Sequence, residues 1–526
     1  MFNKKCVPLS VKTDKQMRFK PRYKQLTIDG FRSSLDGLDK KNRWVWLGDH
    51  LPWDEYEKLY SQTLNNQTVG ASAKPARMVI GAMLVKHITR LSDVDTIEMI
   101  QENPYMQYLC GLGEFTDQPI FDASLFVDLR KRISDDDINK MTEALMKREQ
   151  EMKDEIRKRE EDKARDRGEE PPAAPAVDEN ATAFVDSQGR KHEGVLKIDA
   201  TCADAEVRYP VDVDIIDDGC RVMDRFIRRI CKHAGISVPY TYYGKARNAY
   251  RYLVKMKKKG GKLVKETIGQ MLSCLHRDIL TLIDLTAGEF RYRLECLRKD
   301  QRRVLDATMK MYFQQEQMFR TGEHSCKDRI ISIFQPHVRP IVRGKASANV
   351  EFGAKIGVSI VEGYNFIDHH SWDAYNEGCD MQLHIDKYQE RFGCLPATIL
   401  ADKIYMNKAN RAILKDLEIR NYCKPLGRPP KEPPSPESQA LMAKAVGQRN
   451  EIECSFGTGK RVYQANDIRA KLPETAECWT GMCYFAKNVM KFFRELCHTL
   501  YELLRILTLM ACWSAGLSPA CQMVVN

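Results

Sequence analysis

The chain has 526 residues, a formal net charge of +11 and 43% hydrophobic residues, so it is long enough for two or three compact units. Its most apolar stretch, residues 506–513, is too short to cross a bilayer, and the basic N-terminus lacks the apolar core of a secretory signal. We therefore expect neither a membrane-spanning nor a secreted protein, but a soluble one in the cytoplasm.

Cysteines are frequent but isolated. Seventeen occur singly along the chain, no Cys-x-x-Cys pair is present, and the closest two are Cys478 and Cys483. This pattern favours reduced, mostly buried thiols over a structural zinc site or a disulfide framework.

Positive charge is concentrated in two segments. Residues 1–24 carry eight Lys or Arg against Asp14 alone, and residues 241–265 carry nine with no acid. The second segment interleaves tyrosines with the charges, which suits phosphate contacts beside surfaces that stack on bases. A solvated helix whose tyrosines face the core explains the pattern equally well. The candidate DNA-contacting side chains here are Lys245, Arg247, Arg251, Lys257, Lys258 and Lys259.

Short helices are predicted after the basic N-terminus. Residues 75–91 have apolar residues at helical spacing, Ser92 is suited to cap a second helix, Pro104 to begin a third, and residues 124–133 to form a fourth. Such a unit is typical of helix-turn-helix DNA readers, and a packing or dimerisation module fits nearly as well.

Strand signals begin later and are interrupted. Residues 195–198 form a short, largely apolar run that ends at Asp199, and residues 398–401 form another that ends at Asp402. Between them, residues 215–325 are charged and helix-patterned. This predicts an α/β domain with a helical insertion. Further strands are predicted at 331–334, 338–342 and 351–361, a basic loop at 427–436 and a packing helix at 476–509.

Asp199 and Asp402 share a setting, because each directly follows an apolar strand. A rigid sheet holds such side chains precisely while the following loops leave them open to substrate. Mg²⁺ prefers oxygen ligands and keeps several waters, so a few carboxylates and a substrate phosphate suffice to bind it. Taken singly, each aspartate is explained at least as well by a turn or a helix cap.

A third carboxylate, Glu453, lies in a segment where a helix would put Arg449, Phe456 and Lys460 on the same face. Glu453 would then ligate a metal while Arg449 and Lys460 bind phosphates of a cleaved strand. An intrahelical ion pair is the alternative interpretation.

Other acids and histidines also lie near predicted strands. Asp204, Glu351 and Asp368 are alternative metal ligands. The pair His369-His370 also suggests a metal, although paired surface or core histidines are commoner.

The segment around Glu453 resembles the Tyr-x-x-Arg-x-x-x-Glu-x-x-x-x-x-x-Lys signature of insertion-sequence transposases with an RNase H-like core. Arg449, Glu453 and Lys460 match its spacing, and Val446 stands at the tyrosine position. The strands that end at Asp199 and Asp402 resemble the two aspartate strands of the same family. Residues 333–340 and 350–355 are also similar to that group, so the resemblance covers most of the chain.

The resemblance implies a DDE transposase in which Asp199, Asp402 and Glu453 are the catalytic residues and bind two Mg²⁺ or Mn²⁺ ions. It implies hydrolysis of the strand at each transposon end, which frees a 3′ hydroxyl that then attacks target DNA. The implied partners are double-stranded DNA, as transposon ends and target, and a second copy of the chain in a homodimeric synaptic complex. A nucleoid-associated protein of the cytoplasm is expected.

The predicted fold class is α/β, with an RNase H-like catalytic core interrupted by a helical insertion and preceded by a small all-helical domain. A metal-dependent DNA nuclease on the same fold is one alternative function, and a catalytically inactive DNA-binding relative is another. The predicted domains are a basic arm at 1–40, the helical domain at 41–140, a charged helix and linker at 141–190, the core at 191–214 and 326–510, the insertion at 215–325 and a tail at 511–526.

Overall fold

The computed structural model describes residues 34–64, 72–167, 181–287, 294–345, 348–423 and 435–514. Within these ranges the chain is a mixed α/β structure with one six-stranded sheet. Residues 1–24, the prolines at 171–175, most of the loop at 427–436 and the end of the 511–526 tail lie outside the described residues. None of the helices searched has the length and apolar character that a membrane span requires.

Helices make up most of the described chain. They are α1 (Arg43–His50), α2 (Trp53–Gln62), α3 (Ala76–Thr89), α4 (Asp93–Glu102), α5 (Pro104–Leu109), α6 (Leu125–Arg130), α7 (Asp135–Arg167), α8 (Asp212–Ala234), α9 (Tyr243–Lys255), α10 (Gly261–Thr286), α11 (Lys299–Thr321), α12 (Met381–Phe392), α13 (Lys408–Asp416), α14 (Pro436–Val462) and α15 (Pro473–Ser514). Two short 3-10 turns, Glu377–Cys379 and Lys403–Tyr405, lie beside the sheet.

The strands form one separate pair and one sheet. They are β1 (Phe184–Val185), β2 (Lys191–His192), β3 (Val195–Asp204), β4 (Arg339–Lys345), β5 (Ala348–Val361), β6 (Tyr364–Ser371), β7 (Thr398–Ala401) and β8 (Arg420–Asn421). The main sheet has the order β6-β5-β3-β7-β8, and β4 pairs with the first part of β5. β3 is antiparallel to β5 and parallel to β7, which is parallel to β8.

The helices predicted at the N-terminus are confirmed. α3 occupies most of the predicted segment 75–91, and α5 begins at Pro104. The Ser92 hydroxyl accepts a hydrogen bond from the Asp95 N–H at 3.1 Å, which is how an N-cap side chain stabilises the first turn of a helix such as α4.

The N-terminal helices share one hydrophobic core with α15 and the sheet. Phe485 of α15 meets Tyr56 of α2 edge-on, with ring centroids 5.8 Å apart, and Trp479 meets His87 of α3 at 5.4 Å. This packing buries α3 on nearly every side. α3 therefore has little free surface with which to enter a DNA groove.

β6 is an edge strand whose outer backbone groups are bound by two buried asparagines. Asn139 of α7 donates to the Ile367 carbonyl at 2.8 Å and accepts from the Ile367 N–H at 3.1 Å. Asn488 of α15 does the same at Asn365, at 2.9 and 3.0 Å. The two amides take the place of a neighbouring strand, so this edge is not open to pairing with another chain.

Helices α8 to α11 lie between β3 and β4 and have a hydrophobic core of their own. That core is separate from the main one. Asp212, at the start of α8, binds Arg329, which follows α11, with oxygen and nitrogen 2.5 Å apart. The insertion is therefore a separately packed unit whose entry and exit are tied together.

The strand predicted at 331–334 is wrong, because these residues form no strand. Ile330 and Ile333 join the core of the insertion, whereas Ile331 packs with Ala205 beside the sheet. The apolar run divides its side chains between two cores, so its backbone connects them instead of pairing.

Replacing Phe485 with alanine should destabilise the protein strongly, because the ring fills a fully buried site between α15 and the N-terminal helices. We expect the free energy of unfolding in urea to fall by roughly 3–5 kcal/mol, the usual cost of removing a buried aromatic ring. Phe115→Ala is the matched control, since that ring is 48% exposed, and should cost roughly 0.5 kcal/mol. Equal losses in both variants would contradict the shared core.

Candidate active site

The two predicted aspartates lie side by side at the centre of the sheet. β3 and β7 are parallel, and Ile198 is paired with Ala401. Asp199 and Asp402 are the next residues along the two strands, so this register brings together two acids that are far apart in sequence. β3 is longer than predicted, because beyond Asp199 it continues to pair with β5.

Backbone N–H groups orient both carboxylates. Asp199 accepts a hydrogen bond from the Ala200 N–H at 2.8 Å, and Asp402 accepts one from the Lys403 N–H at 2.7 Å. The Asp199 side chain is 17% exposed and Asp402 is half-buried. Both acids are therefore held in place and can still be reached from solvent.

Glu453 lies on α14, which packs against β3 and β7 and runs unbroken through the predicted segment. Lys197 of β3 forms an ion pair with Glu451 of this helix. Arg449 lies 3.9 Å from an Asp199 oxygen through one guanidinium nitrogen and 2.9 Å from a Glu453 oxygen through the other. The intrahelical ion pair and the connection to the sheet aspartate are therefore both present.

The environment of Asp199 disfavours its ionised form. Burial raises the pKa of Asp199 to about 6, and the negative charges of Glu377 and Asp402 act in the same direction. The Ala200 N–H and the Arg449 guanidinium oppose this rise in the pKa, because they stabilise the carboxylate. A cation placed among these like charges would stabilise the ionised form.

The three predicted carboxylates do not form a closed ligand set. Their oxygens do not all lie within 4.8 Å of one another, and the Glu453 side chain is 59% exposed. Among the described side chains, Cys202, Asp204 and Glu351 do meet this distance. Burial raises the pKa of the Cys202 thiol, and the negative charges of Asp204 and Glu351 raise it further. The positive charge of Lys460 opposes this rise. Lys460 thus lies beside this second group.

The remaining candidate ligands contact nearby polar or charged side chains. Asp368 is completely buried, with one oxygen 2.6 Å from the His384 ring and the other 2.6 Å from the Arg391 guanidinium. His369 and His370 each contact an aspartate at 2.8 Å. These contacts indicate that all three residues have a structural role and favour that interpretation over metal binding.

α9 divides the basic segment between an inner and an outer side. Arg247 forms an ion pair with Asp217 of α8, and the Tyr250 hydroxyl donates to Asp214 at 2.8 Å. Tyr252, in contrast, is 57% exposed. The two interpretations of the tyrosines therefore each apply to part of the helix. The exposed cations of the segment are Lys245, Arg251, Lys255, Lys257, Lys258, Lys259, Lys262 and Lys265.

Two residues near the aspartates are missing from the sequence prediction. Glu377 acts electrostatically on Asp199, and Lys355 of β5 binds the Glu377 carboxylate at 2.6 Å. The only sequence feature that could have pointed to Glu377 is its place in the turn Asn376-Glu377-Gly378, after β6. Turns of this composition are too common to identify a functional acid.

Asp199→Asn should stabilise the metal-free protein at neutral pH, because it removes a charge whose ionisation opposes folding. The folded pKa of about 6 exceeds the ordinary 3.8, so wild-type stability falls as pH rises from about 4 to 6 and stays lower above that. We expect a gain of roughly 1–3 kcal/mol in urea unfolding at pH 7.5 with EDTA, at about 1.4 kcal/mol per pKa unit.

This gain should shrink towards zero as pH falls to about 4, where the wild-type carboxyl is protonated too. Asp386→Asn, on the exposed side of α12, is the control and should change stability little at any pH. A gain for Asp199→Asn that does not depend on pH would rule out this explanation.

The chain matches two transposase family models. Residues 33–132 match a model described as "Transposase domain (DUF772)", and residues 399–489 match one described as "Transposase DDE domain". The first range contains α1 to α6. The second contains Asp402 and all of α14, with Arg449, Glu453 and Lys460.

One curated relative is similar over a shorter stretch. The "Uncharacterized protein ORF8 in nfe locus" of Rhizobium meliloti is 31% identical over 117 residues, which are 22% of this chain and 56% of that protein. The chain thus spans about half the length of that relative. No solved structure matches it significantly. Residues 33–132 therefore carry a DUF772 transposase domain and residues 399–489 a transposase DDE domain, which implies an RNase H-like fold.

Proposed function

We propose that this protein is a DDE transposase of the insertion-sequence type, which cleaves DNA at transposon ends and joins it to target DNA. The observation that carries the proposal is the placement of Asp199 and Asp402 on adjacent parallel strands, with Arg449 connecting Asp199 to Glu453 of α14. The two transposase domains of the chain support it.

The chemistry of the three carboxylates suits divalent metal ions. Asp199, Asp402 and Glu453 offer carboxylate oxygens, which Mg²⁺ and Mn²⁺ prefer, and the crowding of like charges around Asp199 favours a cation. These three side chains would hold two such ions. When bound, the ions supply activation of the attacking oxygen and stabilisation of the leaving oxygen.

The protein's own groups orient the reactants. The Ala200 and Lys403 N–H groups fix the two sheet carboxylates, so little motion is needed to align them with a phosphate. The guanidinium group of Arg449 is planar and lies beside Asp199. It is therefore suited to bind the phosphate at the cleaved position. Lys460, further along α14, would bind a phosphate beyond it.

One such site serves both reactions of a transposase. Attack by water at the transposon end and attack by the freed 3′ hydroxyl on target DNA are both in-line displacements at phosphorus. In each step the new P–O bond forms as the old one breaks, and the proton that the attacking oxygen loses is matched by the proton that the leaving oxygen takes up. No covalent enzyme nucleophile is required.

We assign general DNA binding to the outer side of α9 and the lysines that follow it. This surface has exposed cations and Tyr252 with no acid between residues 241 and 265, as a phosphate-binding surface requires. α4, by comparison, carries Asp93, Asp95 and other acids. We therefore assign the N-terminal helices to packing. We also propose that two subunits together hold the transposon ends.

Asp402→Asn should abolish DNA cleavage and strand joining but leave DNA affinity within about twofold, because it removes a metal ligand and not a phosphate contact. The measurement incubates the protein with end-bearing DNA, a target plasmid and Mg²⁺ and separates cleaved from joined products. Asp386→Asn, an exposed acid on α12, is the matched control.

The same assay separates the alternatives. Cleavage without joined products would indicate a nuclease on this fold. DNA binding without cleavage in the wild type would indicate an inactive relative, and cleavage that survives Asp402→Asn would remove the proposed catalytic site.

Replacing Lys257, Lys258 and Lys259 together with glutamine should weaken binding to any duplex sequence. It should also make the negative slope of log affinity against log salt shallower by about 2–3, since each lost phosphate contact contributes roughly 0.9 to its magnitude. Arg247→Gln should instead lower the free energy of unfolding and change DNA affinity little, because Arg247 binds Asp217. Equal loss of DNA affinity in both variants would contradict the division of the basic segment into an inner and an outer side.

A further inference from the structure

A partly buried ion pair lies beside the catalytic sheet and has no part in the mechanism above. Glu377, in the 3-10 turn after β6, binds the Lys355 ammonium group of β5 at 2.6 Å. The two side chains are 19% and 14% exposed. Lys355 also donates to the Tyr375 carbonyl at 2.8 Å, so its ammonium group is held from two directions.

The turn that carries Glu377 is docked on the segment that carries Asp402. The side-chain amides of Asn407 and Asn410 both donate to the Gly378 carbonyl, at 3.0 and 2.6 Å. A Cβ atom at Gly378 would lie 2.7 Å from the Ile404 carbonyl oxygen, a distance that real Cβ atoms do not adopt. Only glycine fits there, so the two turns pack backbone against backbone.

This docking places Glu377 near the catalytic aspartates. Gly378, the neighbour of Glu377, meets the backbone of Ile404, which is two residues beyond Asp402. Tyr405, in the turn after Asp402, is fully buried, and its pKa is raised by burial and then by the charges of Asp199 and Glu377.

We propose that Glu377 is a fourth acid of the catalytic centre, a positioning residue whose charge strengthens divalent-cation binding by Asp199 and Asp402 and is moderated by Lys355. The inference rests on the proposed function of this centre. Glu377 acts through the two aspartates: its charge adds to theirs on the metal, and its turn holds the backbone that follows Asp402.

The competing explanation is that the ion pair only stabilises the fold. The two explanations differ in the sign of the change in metal affinity that they predict for loss of Lys355. If the pair only stabilises the fold, loss of either partner should have the same effect. If the charge of Glu377 assists the metal, removing Glu377 should weaken metal binding, whereas removing Lys355 should strengthen it, because Lys355 then no longer offsets that charge.

The test measures Mn²⁺ binding to the full-length, EDTA-treated protein without DNA, by the electron paramagnetic resonance signal of free Mn²⁺. Glu377→Gln should weaken binding about tenfold, as loss of a group that supports metal ligands usually does. Lys355→Gln should tighten binding severalfold, and Glu377→Asp should restore part of the affinity. Glu390→Gln, with its carboxylate 68% exposed on α12, is the matched control and should bind as the wild type. Circular dichroism and thermal unfolding check that each variant is folded.

Equal changes in Glu377→Gln and Lys355→Gln, or no change in either, would overturn the assignment. Asp402→Asn separates this failure from a wider one. If Asp402→Asn loses Mn²⁺ affinity and Glu377→Gln does not, Glu377 alone is wrongly assigned. If Asp402→Asn retains both Mn²⁺ affinity and DNA cleavage, the proposed function fails together with the inference.

Discussion

The parallel register of β3 and β7 is the constraint on which the rest of the structure depends. It aligns Ile198 with Ala401 and thereby places Asp199 beside Asp402. A shift of one residue would turn one aspartate to the opposite face of the sheet. The insertion leaves this register undisturbed, because it enters beyond the end of β3 and packs on itself. Crowding the carboxylates costs free energy, which the large core shared by the sheet, the N-terminal helices and α15 offsets.

The sequence contains strong local signals for several parts of this arrangement. β7 is a short, fully buried and largely apolar strand that ends immediately before Asp402, as its composition predicts. Ser92 and Pro104 mark helix starts through cap chemistry that needs no tertiary contact. The spacing of Arg449 and Glu453 is one helical turn, and the two side chains do meet on α14. These features depend on neighbours in the chain, so they could be predicted.

The features that could not be predicted depend on contacts between distant segments. Arg247 is drawn inward by Asp217 on another helix, and residues 331–334 are divided between two cores. Asp368 is buried by Arg391, which a strand pattern does not reveal. The turn of Glu377 docks on the turn after β7, although nothing in Asn-Glu-Gly specifies that partner. The domain limits predicted from composition stay predictions.

The two asparagine side chains that cover the edge of β6 make the resistance of this chain to self-association depend on the docking of two helices. Asn139 and Asn488 cover the strand edge only while α7 and α15 stay docked, because they are side chains of those helices. A fluctuation that lifts either helix exposes N–H and C=O groups aligned for pairing with an extended segment. The first local opening of this region would therefore create the species that is most prone to associate with another copy, well before the sheet itself unfolds.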